Sequence, residues 1–298
     1  MPIACIGVDL AWSGRNPSGL ALLGLDQRGR LRLVETARLE TDAEIVRWIE
    51  ERRARTTVLA IDAPLIAPNP GGTGRPCDGQ LTSAFGRYHA GTYPANAPKC
   101  VRPVALRKKL ARLGYDPDPV RVPRRRGLWQ IEVYPHPAQV VLFGLKRILK
   151  YKKGTPAERR RGLRQLATRI RRDLARKRPQ LTANGELRRL LAPRGVLRGG
   201  ALKDWEDRLD AVVCGYIAAY YWWWGEKRCR VFGDARRGYI VTQPLHSSIA
   251  PLMDRLDPSA EERKSVDTVV NDGGMLIGYW TAEDDLSRRA LWFPNGEF

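Results

Sequence analysis

Residues 3–9 read Ile3-Ala4-Cys5-Ile6-Gly7-Val8-Asp9, an apolar run that closes on a single acid. A run this short and this continuously apolar reads as a strand buried in a sheet, with its carboxylate at the strand's end. The pattern returns at Thr57-Val58-Leu59-Ala60-Ile61-Asp62. Between the two, Gly19 to Leu25 and Arg32 to Glu35 flank the turn Asp26-Gln27-Arg28-Gly29, a hairpin signature. Thr41, with Glu44 three residues on, opens a helix to about Arg53 that carries Ile45, Val46 and Ile49 on one face. Leu128 to Tyr134 reads as a further strand, and Arg230 to Phe232 and Tyr239 to Thr242 as short closing strands. Asp204 opens a long helix on which Asp207 and Asp210, three residues apart, share a face. They stand near its N-terminal end, where the helix dipole favours anions and where an Asp can also act as a cap.

A first strand ending in Asp, a hairpin, a helix, a strand ending in Asp and a late helix bearing Asp-x-x-Asp form a ribonuclease H-like order. The expected fold is therefore α/β: a mixed five-stranded sheet flanked by helices over residues 1–245, with a basic helical insertion at about 145–200 and an acidic extension at 246–298. The stretches Ile6 to Ala11, Ala60 to Leu65, Arg75-Pro76-Cys77-Asp78, Gly91-Thr92-Tyr93-Pro94, Glu132 to Pro137 and Asp207 to Ala211 resemble domain-of-unknown-function family 429. The resemblance covers roughly residues 3–245. It implies a nuclease of ribonuclease H fold, distantly similar to RuvC-type resolvases. By position it implies that Asp9, Asp62, Asp207 and Asp210 form the acidic site, and that Glu132 occupies an additional acidic position. The basic block and the acidic extension lie outside the pattern it supplies.

Composition narrows the partners. The 298 residues hold 52 Lys plus Arg against 32 Asp plus Glu, a net charge of +20 that favours a polyanion, nucleic acid before a membrane surface. The excess is local: residues 101–200 hold 28 basic and 6 acidic side chains, while the last 48 hold 5 and 10. From Glu158 to Arg178, Leu163, Leu166, Ile170 and Leu174 recur at helical spacing amid arginines. This basic amphipathic helix is either a solvated face or a phosphate grip. Arg159, Arg160, Arg161, Arg164, Arg169, Arg171 and Arg172, with Lys152 and Lys153 before them, are the candidate nucleic-acid contacts. Five cysteines without close pairing read as reduced thiols of a cytoplasmic protein. The apolar run from Ala211 to Trp224 is too short to span a bilayer, and its Tyr and Trp cluster reads as core or a base-stacking surface.

The residue types suit phosphodiester hydrolysis by a two-metal mechanism, in which carboxylates hold cations that stabilise the attacking and leaving oxygens. Hard oxygen donors without clustered His or Cys point to Mg2+ or Mn2+ as cofactor. Asp9, Asp62, Asp207 and Asp210 are the candidate metal ligands, and Glu132 joins them as a catalytic candidate. The Gly- and Pro-rich segment Ala63 to Pro103 reads as a long loop or flap. On or near it, Arg75, Asp78, Arg87, His89 and Tyr93 are placed to meet substrate, and His136 to assist proton transfer. A non-catalytic nucleic-acid-binding module on the same fold is the first alternative. A phosphotransferase of the actin-like and sugar-kinase type is the second, although no internal repeat supports it.

Overall fold

In a computed structural model, residues 3–14, 16–245, 266–271, 274–279 and 290–292 are described. Two units divide the chain, Met1–Ala250 and Pro251–Phe298. The first is built on one sheet. Strands β1 (Ile3–Asp9), β2 (Ser18–Leu25) and β3 (Arg30–Leu39) run antiparallel in sequence, while β4 (Thr57–Ile61) lies parallel to β1 and β5 (Leu128–Glu132) parallel to β4. A two-residue β6 (Gln180–Leu181) from the insertion pairs with β3, so the sheet has six strands in the order β5-β4-β1-β2-β3-β6. Without β6 this is the ribonuclease H-like order, and the fold is a mixed α/β sheet flanked by helices.

Alternation along the strands assigns the two faces. Ile3 and Cys5 of β1, with Val58 and Ala60 of β4, join the cluster packed under the long helix α7 (Gly199–Trp224). Ala4, Ile6 and Val8, with Leu59 and Ile61, join a second cluster. There they meet Ile45, Trp48 and Ile49 of α1 (Asp42–Arg52) and Leu106 and Leu110 of α3 (Val101–Arg112). The capping box of α1 forms as expected, Thr41 accepting from Glu44 N.

Three elements depart from the expected layout. The flap holds α2 (Pro76–Phe85) and leads into α3, because Pro76 sits at a first helical turn, where its missing N–H costs nothing. Pro135 does the same for α4 (Pro135–Phe143), and β5 ends at Glu132, two residues before the expected Tyr134. Helix α7 begins at Gly199, five residues before Asp204, so Asp207 and Asp210 lie in its third and fourth turns, away from the terminal dipole and cap.

The basic insertion is integral to the core. Helix α5 (Pro156–Asp173), opened by a Thr155–Glu158 capping box, buries Leu163, Leu166 and Ile170 in the same cluster as α7. Leu187 of α6 (Gly185–Leu191) joins them. Strands β7 (Arg230–Asp234) and β8 (Gly238–Thr242) form a separate hairpin. The five cysteines are buried and free. Trp222 and Trp223 are buried at the end of α7, where Arg124 lies 3.7 Å over the Trp223 ring, so this aromatic cluster is core. In the second unit, β9 (Val266–Asn271), β10 (Gly274–Tyr279) and β11 (Ala290–Trp292) form an antiparallel sheet, and the rest of the acidic extension lies outside the described residues. No described helix is long and apolar enough to cross a membrane.

Helix α7 lies flush on β1 because Gly7 has no side chain: a Cβ there would run into the Ala211 carbonyl oxygen and the Gly215 backbone nitrogen. Gly7→Ala is expected to destabilise the protein by about 1–3 kcal/mol or more through this overpacking, read as a lowered midpoint of thermal unfolding.

Candidate active site

The same alternation that puts Gly7 under α7 puts Asp9, two residues on, on that face. Asp62 follows β4, its N–H donating to the Val8 carbonyl at 2.9 Å, so the acids stand side by side at the ends of two parallel strands. That is the position where open α/β sheets carry their sites. Asp210 comes down from α7 onto the pair. It is fully buried, whereas Asp9 and Asp62 are half-buried and reach solvent. Three acids from three separated stretches of chain thus act on one another's charge.

Their electrostatics follow from this crowding. Burial, then repulsion from Asp210 and Asp62, pushes the Asp9 carboxyl well above the usual carboxylate range. Burial and the Asp210 and Glu132 charges push Asp62 up to about 7. One cation opposes the shift in both, and it is Lys152. Its Nζ lies 3.0 Å from Asp210 Oδ2 while its side chain remains 35% exposed, so the chain reaches in from the surface. Asp210 Oδ1 accepts from the Tyr151 hydroxyl at 2.7 Å, and that hydroxyl accepts from Gln139 Nε2 at 3.0 Å. Asp210 Oδ2 has the Lys152 ammonium as its partner.

Lys152 was expected among the phosphate contacts of the surface; it stands instead among the aspartates. Arg159 also turns inward, pairing with the buried Glu206 at 3.0 Å. Arg160 donates to the Leu197 carbonyl at 3.4 Å, and Arg169 and Arg172 both pair with Asp173. The side chains of Arg161, Arg164 and Arg171 remain exposed, without hydrogen bond or ion pair among the described residues, and Lys153 is exposed beside them.

Two of the expected acids are engaged elsewhere. Asp207 is held by Lys203 Nζ at 2.6 Å and Arg38 Nε at 3.1 Å, although it lies near enough to act on the Asp9 charge. Glu132 lies on the other face of the sheet. In β5 the residues Trp129, Ile131 and Val133 join the α7 cluster, so Glu132 points away from it. It is bridged by Arg75, Nη2 to Oε1 at 2.7 Å and Nη1 to Oε2 at 2.8 Å, and accepts from Leu65 N. Arg75 also donates to Asp78, from Nη2 at 2.8 Å, and Asp78 accepts from Ala95 N at 3.1 Å. Arg75, Asp78 and Glu132 are all buried, and together they pin the flap to the sheet.

His136 stacks on Tyr151, ring centroids 5.9 Å apart, and burial followed by the Lys152 charge lowers it to about 4, which leaves it neutral at pH 7. Tyr93 is 75% exposed and acts on Tyr134, whose charge state in turn feels Asp62. Arg87 lies over the Tyr88 ring and His89 closes a short turn after α2 with φ 61°.

A bound cation would find hard oxygen donors on Asp9, Asp62 and Asp210, and at Asp210 Oδ2 it would take the place of the Lys152 ammonium. That donor chemistry fits Mg2+ or Mn2+. In the present arrangement no three His, Cys, Asp or Glu side chains among the described residues are set around one ion position, and the ammonium of Lys152 is the positive charge in their midst.

A sequence profile described as "Protein of unknown function (DUF429)" matches residues 7–237. Among curated proteins, shikimate dehydrogenase (NADP(+)) of Chlorobaculum tepidum is 38% identical over 65 residues, 22% of this chain and 21% of that protein. The chain thus spans about a fifth of the length of the curated relative it matches. Among solved structures, the Thermus thermophilus RuvC structure is similar at 12% identity and a TM-score of 0.30, over 74% of this chain and 95% of that one.

Proposed function

The chain belongs to the DUF429 family, described as of unknown function, and from the aspartate cluster we propose that it is a divalent-metal-dependent nuclease hydrolysing phosphodiester bonds in DNA or RNA. The observation that carries this reading is the convergence of Asp9, Asp62 and Asp210 at the ends of β1 and β4, with a positive charge held among them. Asp9, Asp62 and Asp210 would hold Mg2+ or Mn2+, which when bound stabilises negative charge on phosphate and lowers the pKa of bound water. The protein's own groups divide the remaining work. Tyr151 orients Asp210 from behind, Asp9 and Asp62 face the opening, and Arg38 with Lys203 keeps Asp207 at the margin.

Arg161, Arg164 and Arg171 supply the phosphate grip, since the other arginines of α5 already have partners within the fold. Changing these three to Gln is expected to flatten the slope of log affinity against log salt by about 3 for duplex DNA, and to leave metal binding unchanged. Fluorescence anisotropy over a salt series measures this. An unaltered slope would remove α5 from the interface. The nuclease reading itself is tested by incubating DNA and RNA substrates with protein in Mg2+, in Mn2+ and in chelator, with products expected only with metal.

A second reading, a nucleic-acid-binding module without catalysis, draws on Lys152, which already neutralises part of the cluster. It expects binding with no metal-dependent product on any substrate.

A further inference from the structure

We propose that Lys152 is a displaceable counter-ion of the aspartate cluster, so that its ammonium and a divalent ion are alternative occupants of the same carboxylates. The inference rests on the metal-site reading above and deepens it, adding a residue that governs when metal enters.

The cations of the Glu132 cluster and of the Asp210 cluster hold their acids differently. Arg75 is 1% exposed and grips Glu132 through both terminal nitrogens, with further hydrogen bonds to Asp78 and the Ile66 carbonyl. Planar, two-point pairing of this kind fixes a side chain. Among the described residues Lys152 makes one ion pair, a single contact of 3.0 Å to Asp210 Oδ2, and its side chain is 35% exposed. An ammonium on a four-carbon stem is a point charge that can leave by rotating its own bonds.

The backbone around it is fixed, so only the side chain needs to move. Lys150 and Tyr151 lie against α5 where Gly162 leaves room, since a Cβ there would strike the Lys150 carbonyl oxygen. Arg159 Nε donates to the Tyr151 carbonyl at 3.3 Å, and the Tyr151 hydroxyl is bound to Asp210. Lys152 therefore starts from a rigid base and ends in solvent or among the acids.

Charge decides between the occupants. Lys152 is the cation that acts most strongly on Asp9 and Asp62, and it also contacts Asp210. In a partly dry site a doubly charged ion gains more from these carboxylates than an ammonium does, and the two repel at close range. Metal entry then sends the ammonium to the opening, where a substrate phosphate would meet it. Metal and phosphate would thus favour each other's binding.

Calorimetric titration of Mn2+ into the full chain tests this, comparing wild type, Lys152→Met and Lys153→Met. Lys152→Met is expected to bind Mn2+ about tenfold tighter than wild type or more, and Lys153→Met to match wild type. Equal or weaker binding by Lys152→Met would overturn the proposal and leave the metal reading standing. No binding by any of the three would overturn both. A measurement on wild type alone guards against a misfolded variant: acylation of Lys152 by an amine-reactive reagent, followed by mass spectrometry, should speed up when Mn2+ is added. An unchanged or slower rate contradicts displacement.

Discussion

Asp210→Asn is expected to lower metal-dependent cleavage by more than about a hundredfold while nucleic-acid affinity stays within about twofold. Changes to groups that merely orient a metal ligand typically cost 10–100-fold, so loss of a ligand's charge should exceed that range. The substitution is well suited to the site. Asn keeps the shape of the side chain and an oxygen to accept from Tyr151, which now donates to Asp210 at 2.7 Å. It also removes one negative charge from beside Asp9 and Asp62, both pushed up by burial and by Asp210 itself, so the fold should tolerate it. Single-turnover cleavage and anisotropy on the same preparation separate the two effects. Cleavage within about tenfold of wild type would take Asp210 out of the site.

Arg75→Met should cost stability and leave the aspartate cluster's composition untouched. Removing the guanidinium strands two buried carboxylates, Glu132 and Asp78, with side chains 4% and 6% exposed. Breaking a buried pair in this way costs about 3–5 kcal/mol. The loss should depend on pH. Burial pushes Glu132 up to about 7 even against the pull of Arg75, and without Arg75 that opposing pull is gone. A carboxyl whose folded pKa lies above its unfolded value favours the folded state when protonated. The variant should therefore lose least near pH 5 and most near pH 8, as measured by urea unfolding at both. Glu132→Gln in the same chain should recover part of the loss at pH 8. An equal loss at both pH values would contradict the account of this cluster.

Much of the fold was legible because local patterns carried it. The runs ending at Asp9 and Asp62 announced buried strands, and Thr41 with Glu44 announced a helix start that the structure reproduces. Helix α2 escaped because Pro76 fell in a segment read as a loop, whereas it occupies the helix's first turn. The period-2 pattern of β5 already separated Glu132 from Asp9 and Asp62: Trp129, Ile131 and Val133 take one face and leave Glu132 to the other.

The pairings were not legible, since they join distant stretches. Lys152 and Asp210 are 58 residues apart, and Arg159 and Glu206 are 47. A charge run read along the chain looks like a surface. In three dimensions its first members serve acids of α7, and the basic insertion supplies a cation to the site as well as a grip outside it.

The most direct test of the central claim is single-turnover cleavage of end-labelled DNA and RNA, single-stranded, duplex and branched, with Mg2+ or Mn2+, by wild type and Asp9→Asn. The account predicts product from at least one substrate with wild type, none in chelator and at least a hundredfold less with Asp9→Asn, roughly the scale set by loss of a metal ligand. Equal cleavage by the two proteins, or no metal-dependent product from wild type on any substrate, would contradict it.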